Sequence, residues 1–434
     1  MVVKELKKTV TFIEAVAIVI GTIIGSGIFL KPGIVLSNAG SPVMGILAWV
    51  AGGIVTLASA LTIAEVASAI PKTGGLYAYL EELYGDKWGF LLGWVQTVIT
   101  YPASGAALAI AFATFSTYFI PMNSVAQKTL AIGVLIFVIL MNIIATKIGG
   151  VIQTVATIGK LIPIAVIIVF GLLSGHVHDF SMVQSATVGA GFGAAILGTL
   201  WAYDGWIGVT NMAGELKDPA REMPRSIILG VGLVMAIYIL INVALLNVMP
   251  FAAIVGSSKP ASDAATLLFG SWGGAFITGG IMISVFGAMN GYLMTGARVP
   301  LAMGQRGQLP YSKVLASVHP KFATPAAALL VECFFAVICI LTGTFNTLTD
   351  LLVFVLWIFF VMGIVSVFLI RKQSGKYPSK YKVPLYPLTP LIGIVGGIYI
   401  LFSTVVSEPV NSAIGIAITL AGLPVFYYLK RKNG

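Results

Sequence analysis

Twelve apolar segments follow one another along this chain, at approximately 11–33, 43–69, 88–119, 128–146, 150–174, 189–213, 226–250, 268–302, 324–343, 347–370, 387–406 and 411–430. A helix of about 20 residues rising 1.5 Å per residue crosses a hydrocarbon core of ~30 Å, and none of the segments alternates with the two-residue period of an outer-membrane strand. In lipid every backbone N–H and C=O must be satisfied within the protein, which a helix does for itself. The expected fold is an all-α membrane protein of twelve transmembrane helices. Composition agrees, since 58% of the 434 residues are hydrophobic and 9% charged, too little polar surface to cover a water-soluble globule.

The net charge of +10 would suit a nucleic-acid partner in a soluble protein, so the charges have to be sorted by side. With the N-terminus in the cytoplasm, all 25 Lys and Arg residues except Lys31, Lys128, Lys160 and Lys259 fall on the cytoplasmic side. That asymmetry is the positive-inside rule: it reports topology, not nucleic-acid binding, and puts both termini in the cytoplasm of a multi-pass protein of the cell membrane. No cleavable leader is expected, because the basic start runs into a long segment without a small-residue cleavage site. Connections are short, leaving one transmembrane domain over 1–434. Residues 71–87 form an amphipathic stretch too short to span, placed at the cytoplasmic face. Cys333 and Cys339, the two cysteines, sit six residues apart in one segment and on different faces of a helix, so neither a disulfide nor a metal site is expected.

The first segment is broken in its middle by Gly21-Thr22-Ile23-Ile24-Gly25-Ser26-Gly27, and the sixth by Trp201-Ala202-Tyr203-Asp204-Gly205-Trp206. Unwound backbone is tolerated at membrane depth only where it is buried in protein or lines a polar cavity. The half-helix beginning near Gly25-Ser26-Gly27 would present free N–H groups and a positive dipole end, which favour a carboxylate, and glycine leaves the approach open. Carbonyls ending the other half-helices, near Ile23 and Trp201 to Tyr203, suit an ammonium. An anion clamp facing a cation clamp is what a free amino acid requires. The competing reading is that Gly21 and Gly25 are a helix-packing face; Gly27, Thr22 and Ser26 extend the run beyond that need, and Trp201 and Tyr203 sit too deep for an interfacial belt.

Lys160 lies about 15 Å into the fifth segment, too deep for its stem to reach the headgroups. Its ammonium could cap carbonyls of the broken helix in place of a coupling sodium, could exchange a proton, or could be a permanently paired structural charge. Asp204 is read as a helix N-cap ahead of a substrate contact. Glu65 and Glu332 are expected to pair or hydrogen-bond locally. Ser104, Tyr238, Ser284 and Asn290 are polar groups that face either a cavity or a neighbouring helix.

Segments one to five and six to ten each open with a broken helix. Five is odd, so the second copy is inserted upside down, as in transporters with inverted repeats and a midplane site. The three histidines fall in connecting loops and no metal or acid–base constellation lies in the spans, which argues against an enzyme; no ring of polar groups suggests a channel.

GTIIGSGIF, PKTGGLYAYLEELYG, TIGKLIPI and LWAYDGW, in this order, resemble the bacterial L-amino acid transporter (LAT-like) family of the APC superfamily, in particular serine/threonine and alanine/serine/cysteine exchangers. The resemblance covers essentially the whole chain. It implies the LeuT-like 5+5 inverted-repeat fold with discontinuous helices one and six, the repeats at about 11–174 and 189–370 and two peripheral helices at about 387–430. It implies sodium-independent exchange of small neutral L-amino acids such as alanine, serine, threonine or cysteine; a proton-coupled symporter of the same fold is the alternative. It places the carboxylate on Gly25, Ser26 and Gly27, the amino group on carbonyls near Ile23 and Trp201 to Tyr203, and Trp201 as an aromatic gate. Ser104 would select side chains, Lys160 and Tyr238 would couple the gates, and no cofactor is implied. Thr22, Ala202 and Gly205 complete the expected substrate site, and Asn290 the gating set. Animal relatives join a heavy subunit through a cysteine after span three; residues 120–128 hold none, so no such partner is expected.

Overall fold

Proline, glycine and capping hydroxyls mark several of the helix ends in this chain. The computed structural model describes residues 12–70, 75–144, 159–180, 190–207, 218–322 and 324–433. In chain order the helices are α1 (Phe12–Ile23), α2 (Gly27–Ala39), α3 (Pro42–Ala69), α4 (Leu76–Tyr84), α5 (Asp86–Val95), a π-helical turn (Gln96–Thr100) and α6 (Tyr101–Ser116). They continue with α7 (Ser124–Ile144), α8 (Leu161–Ser174), α9 (Phe192–Tyr203), α10 (Pro219–Val248), α11 (Phe251–Gly256) and α12 (Pro260–Gly296). The last six are α13 (Arg298–Gln305), α14 (Ser312–Leu315), α15 (Ala326–Thr342), α16 (Phe345–Lys372), α17 (Leu388–Ser407) and α18 (Pro409–Asn433).

Local chemistry accounts for several boundaries. The Ser41 hydroxyl accepts from the Met44 N–H with Pro42 in the first turn, opening α3. Thr344 and Thr347 cap each other reciprocally at the start of α16. Gly40, at φ 78°, takes the left-handed conformation that ends α2. Gly270, at φ 71°, kinks α12 and divides it into 260–269 and 271–296, close to where the eighth apolar segment was expected to begin.

Among the described residues eight helical stretches are long and apolar enough to cross a membrane, and α1 and α2 add one span bent by 52°. Three shorter apolar helices, α8, α9 and α15, adjoin or fill the remaining segments. The all-helical membrane architecture read from the sequence is present. The inner part of the fifth segment and the inner half of the sixth fall largely at 145–158 and 208–217, outside the described residues.

The broken elements occupy the centre. α1 packs on α10, α2 on α9 and α12, and α3 lies against both α9 and α10, with α16 closing over α9. α17 and α18 pack from outside: 22% of the apolar stretch of α18 is buried, against 67% for α3, which leaves α18 mostly facing lipid. Glu65, deep on α3, is held bidentately by Arg371 of α16 at 2.8 Å for both bonds and accepts the Val383 N–H at 2.7 Å. The expected pairing of Glu65 is therefore real, but its partner lies on the tenth segment rather than nearby in sequence. α4 is the short amphipathic helix expected after span two, with Leu76, Ala78, Tyr79 and Leu80 buried. Cys333 and Cys339 are both free thiols.

A candidate binding cavity at two helix breaks

Two close backbone approaches bring the breaks together. A Cβ on Gly27 would stand 2.6 Å from the Ala202 Cα, and one on Gly205 2.6 Å from the Thr22 carbonyl oxygen. Gly205 also has φ +102°, open to glycine at no steric cost. Gly27 and Gly205 thus let the first and sixth segments touch, so Gly27, expected to exceed what packing needs, is itself a packing glycine because the Ala202 backbone leaves no room for a Cβ. Gly25 differs, since a Cβ there would meet nothing nearer than the Ile23 carbonyl at 4.0 Å. Its missing side chain leaves open space, not a helix contact.

The carbonyls exposed where α1 ends are met by two long side chains. Lys160, 5% exposed and immediately before α8, donates to the carbonyls of Gly21 and of Ile24, the latter at 2.8 Å. The ammonium therefore sits on carbonyls of the broken helix, a placement shared by the capping and the structural-charge readings. Tyr238 on α10 donates to the Ala202 carbonyl at 2.7 Å, with the Ile23 carbonyl 3.3 Å away, so one hydroxyl ties the ends of α1 and α9. The N–H groups of Gly25, Ser26 and Gly27, at the start of α2, have no backbone partner.

A cavity of about 330 Å³ opens over this junction. Its walls include Thr22, Ile23, Gly25, Ser26, Gly27, Lys160, Trp201 and Gly205 of the expected set. It extends past Ser284 and Tyr292 of α12 toward Leu76 and Tyr77 of α4. Trp201 lies on its wall, stacked on Tyr292 with ring centroids 6.2 Å apart and meeting Phe345 edge-on at the same distance. The buried hydroxyls of Ser26, Thr100 and Ser284 have no protein partner, and all three residues line the cavity. Unpaired polar groups beside a cavity are the ones a polar ligand can satisfy.

Five expected residues lie off the wall, Tyr238 among them, whose hydroxyl is engaged by the Ala202 carbonyl behind it. Ser104 is fully buried and donates to the Thr100 carbonyl at 2.8 Å. Tyr203 donates to the Trp49 carbonyl at 3.0 Å, and the Ala202 methyl faces Gly27. Asn290 accepts from Asn142 at 2.9 Å, a bond between helices. Thr100, Gln96 and Tyr101 take the wall position on the third segment instead. The cause is the π-helical turn ending at Thr100: Pro102 has no N–H to give, and the widened turn resets which side chains face inward. The Tyr101-Pro102 pair is the sequence signal for it.

Asp204 lines the cavity and accepts from the Tyr292 hydroxyl at 3.1 Å. The helix it was expected to cap falls at 208–217, outside the described residues. Tyr292 was not singled out in the sequence, and only its bond to Asp204 and its stacking on Trp201 mark it. Among the described residues no three His, Cys, Asp or Glu side chains are grouped so as to hold a metal ion.

Residues 10–427 match the family model described as amino acid permease. The chain is 46% identical to the serine/threonine exchanger SteT of Bacillus subtilis (strain 168), over 99% of this chain and 98% of that protein. It is 31% identical to the large neutral amino acids transporter small subunit 2 of Mus musculus and 32% identical to the Asc-type amino acid transporter 1 of the same species. Each of these alignments covers 97% of this chain and 81% of the relative.

Proposed function

The chain belongs to the amino acid permease family, and from that premise we propose that it exchanges small neutral L-amino acids such as serine, threonine, alanine or cysteine across the cell membrane without sodium. The observation that carries the proposal is the Lys160 ammonium seated on the carbonyls of Gly21 and Ile24, beside the unpaired amides of Gly25 to Gly27. A fixed cation at the broken helix does what a coupling sodium would do and repels a second cation. The amides take the substrate carboxylate, and the remaining lone pair of the Ile23 carbonyl, with carbonyls at the end of α9, takes the amino group. Trp201 covers the bound substrate as the gate. The similarity to a serine/threonine exchanger and an Asc-type transporter supports the small neutral class.

On this reading the chain has twelve spans in two inverted five-helix repeats, about 11–174 and 189–370, with α17 and α18 peripheral and both termini in the cytoplasm. Eight spans, one bent pair and three short apolar helices fit that number. The cavity then opens to the cytoplasm past α4, and alternating access requires α1 and the sixth span to move against the rest. No disulfide-linked heavy subunit is expected, because both cysteines lie on α15 and not in the loop before α7. The test is uptake of labelled L-serine by proteoliposomes loaded with unlabelled L-serine, in sodium and in choline media. Equal rates are expected; a several-fold loss in choline would overturn the sodium-free mechanism.

A further inference from the structure

Glu332 is used by nothing described so far. It lies on α15, 2% exposed, and neither carboxyl oxygen has a hydrogen-bond partner. It was expected to pair locally and does not. The residue stands roughly 9 Å along its helix at 1.5 Å per residue, too far in for a short side chain to reach the interface. Its Oε1 is 2.5 Å, and the Tyr101 Cβ 2.7 Å, from the point where a Cβ on Gly296 would stand. Tyr101 in turn lines the cavity, so one side chain separates the carboxyl from the binding site.

Among the described residues no cation is paired with it. α15 packs against α6, α7, the π-helical turn, α12, α13 and α14. The titratable groups beside Glu332 are Tyr101 at the start of α6 and Cys333 on its own helix. On α12, Tyr292 is bonded to Asp204, and on α7 Lys128 is bonded to the Leu341 carbonyl near the other end of α15. Arg298 of α13 and Lys313 of α14 are exposed. An ionised carboxylate with neither partner nor water is far too costly to bury, whereas the neutral acid is tolerated.

We propose that Glu332 is a proton-binding site behind the cavity wall, and that its proton keeps Tyr101 and the π-helical turn packed in the arrangement that binds substrate. Loss of the proton puts a charge against Tyr101 and Gly296, draws water into the wall and lowers exchange. The step is reversible addition of a proton to one carboxylate, and the proton need not cross the membrane with the substrate.

This goes beyond the exchange mechanism and is tested with it held constant. Serine exchange is measured with equal pH inside and outside, from about pH 6 to about pH 9, a range in which an ordinary glutamate does not titrate. Wild-type rates should fall several-fold with the slope of a single proton, and Glu332→Gln, which mimics the neutral acid, should keep the low-pH rate throughout. A Glu332→Gln profile that follows the wild type, or a wild type with no pH dependence, overturns the proposal. Glu332→Met serves as a second neutral variant. Since the neutral form is the one packed here, failure of both variants to assemble also contradicts it. Should the wild type not exchange at any pH, the exchange reading fails separately, and proton binding is read from the melting temperature. The wild type should then lose stability relative to Glu332→Gln as pH rises, and parallel curves contradict the site.

Discussion

At the scale of single residues, Gly25, Lys160 and Thr100 make the sharpest predictions. A valine at Gly25 would project into the cavity, because the nearest protein atom to its Cβ is 4.0 Å away. Gly25→Val should therefore abolish serine binding while leaving the melting temperature near wild type; Ser26→Ala, which keeps the backbone amide, should weaken binding by less than about tenfold, since one hydrogen bond is worth ~1 kcal/mol. Removing the ammonium of Lys160 leaves the Gly21 and Ile24 carbonyls bare. Lys160→Ala should lower exchange by more than about tenfold, a loss above 1.4 kcal/mol for a charge-assisted bond pair. Thr100→Val should alter the preference between serine and alanine in competition assays, whereas Ser104→Ala should not, because the Ser104 hydroxyl is spent on the Thr100 carbonyl. Glycines and a lysine inside an apolar run were legible in the sequence because nothing about a simple span calls for them. Thr100 was not, because hydropathy carries no record of a turn that resets the inward face.

At the scale of elements, ion pairs join helices that are far apart in sequence. Lys31 on α2 is fully buried and bonded at 2.8 Å to Asp350 on α16, whose side chain is 23% exposed. Lys31 also lies 5.5 Å from the Phe345 ring, which meets Trp201 edge-on, so this pair backs the aromatic packing behind the cavity wall. Asp350→Asn strands a buried ammonium; loss of such a partner costs about 3–5 kcal/mol in full burial, and roughly half is expected here because water reaches the carboxylate. A clear drop in melting temperature, relieved in Lys31→Met/Asp350→Leu, would support the pair; an unchanged melt for Asp350→Asn would show it to be incidental. The bend between α1 and α2 and the short α4 were readable from glycines and amphipathic spacing. The pairing of Glu65 with Arg371 and the isolation of Glu332 were not, since which helices adjoin is a tertiary fact that periodicity does not encode.

At the scale of the whole molecule, the apolar segments and the two breaks indicated a helical membrane protein with an internal site, and the cavity lies where those breaks meet. Side-chain volume around the site was not readable, because the walls come from segments far apart in sequence: Thr100, Ser284 and Leu356 line one cavity. The central claim is that one cavity, closed to the far side beneath Trp201, returns only when occupied. It is tested by uptake of labelled L-serine into proteoliposomes preloaded with L-alanine or with buffer alone, without sodium and without a pH gradient. Uptake in the loaded vesicles and almost none in the empty ones is the predicted result; equal uptake in both, or uptake that needs an imposed proton gradient, would contradict obligatory exchange.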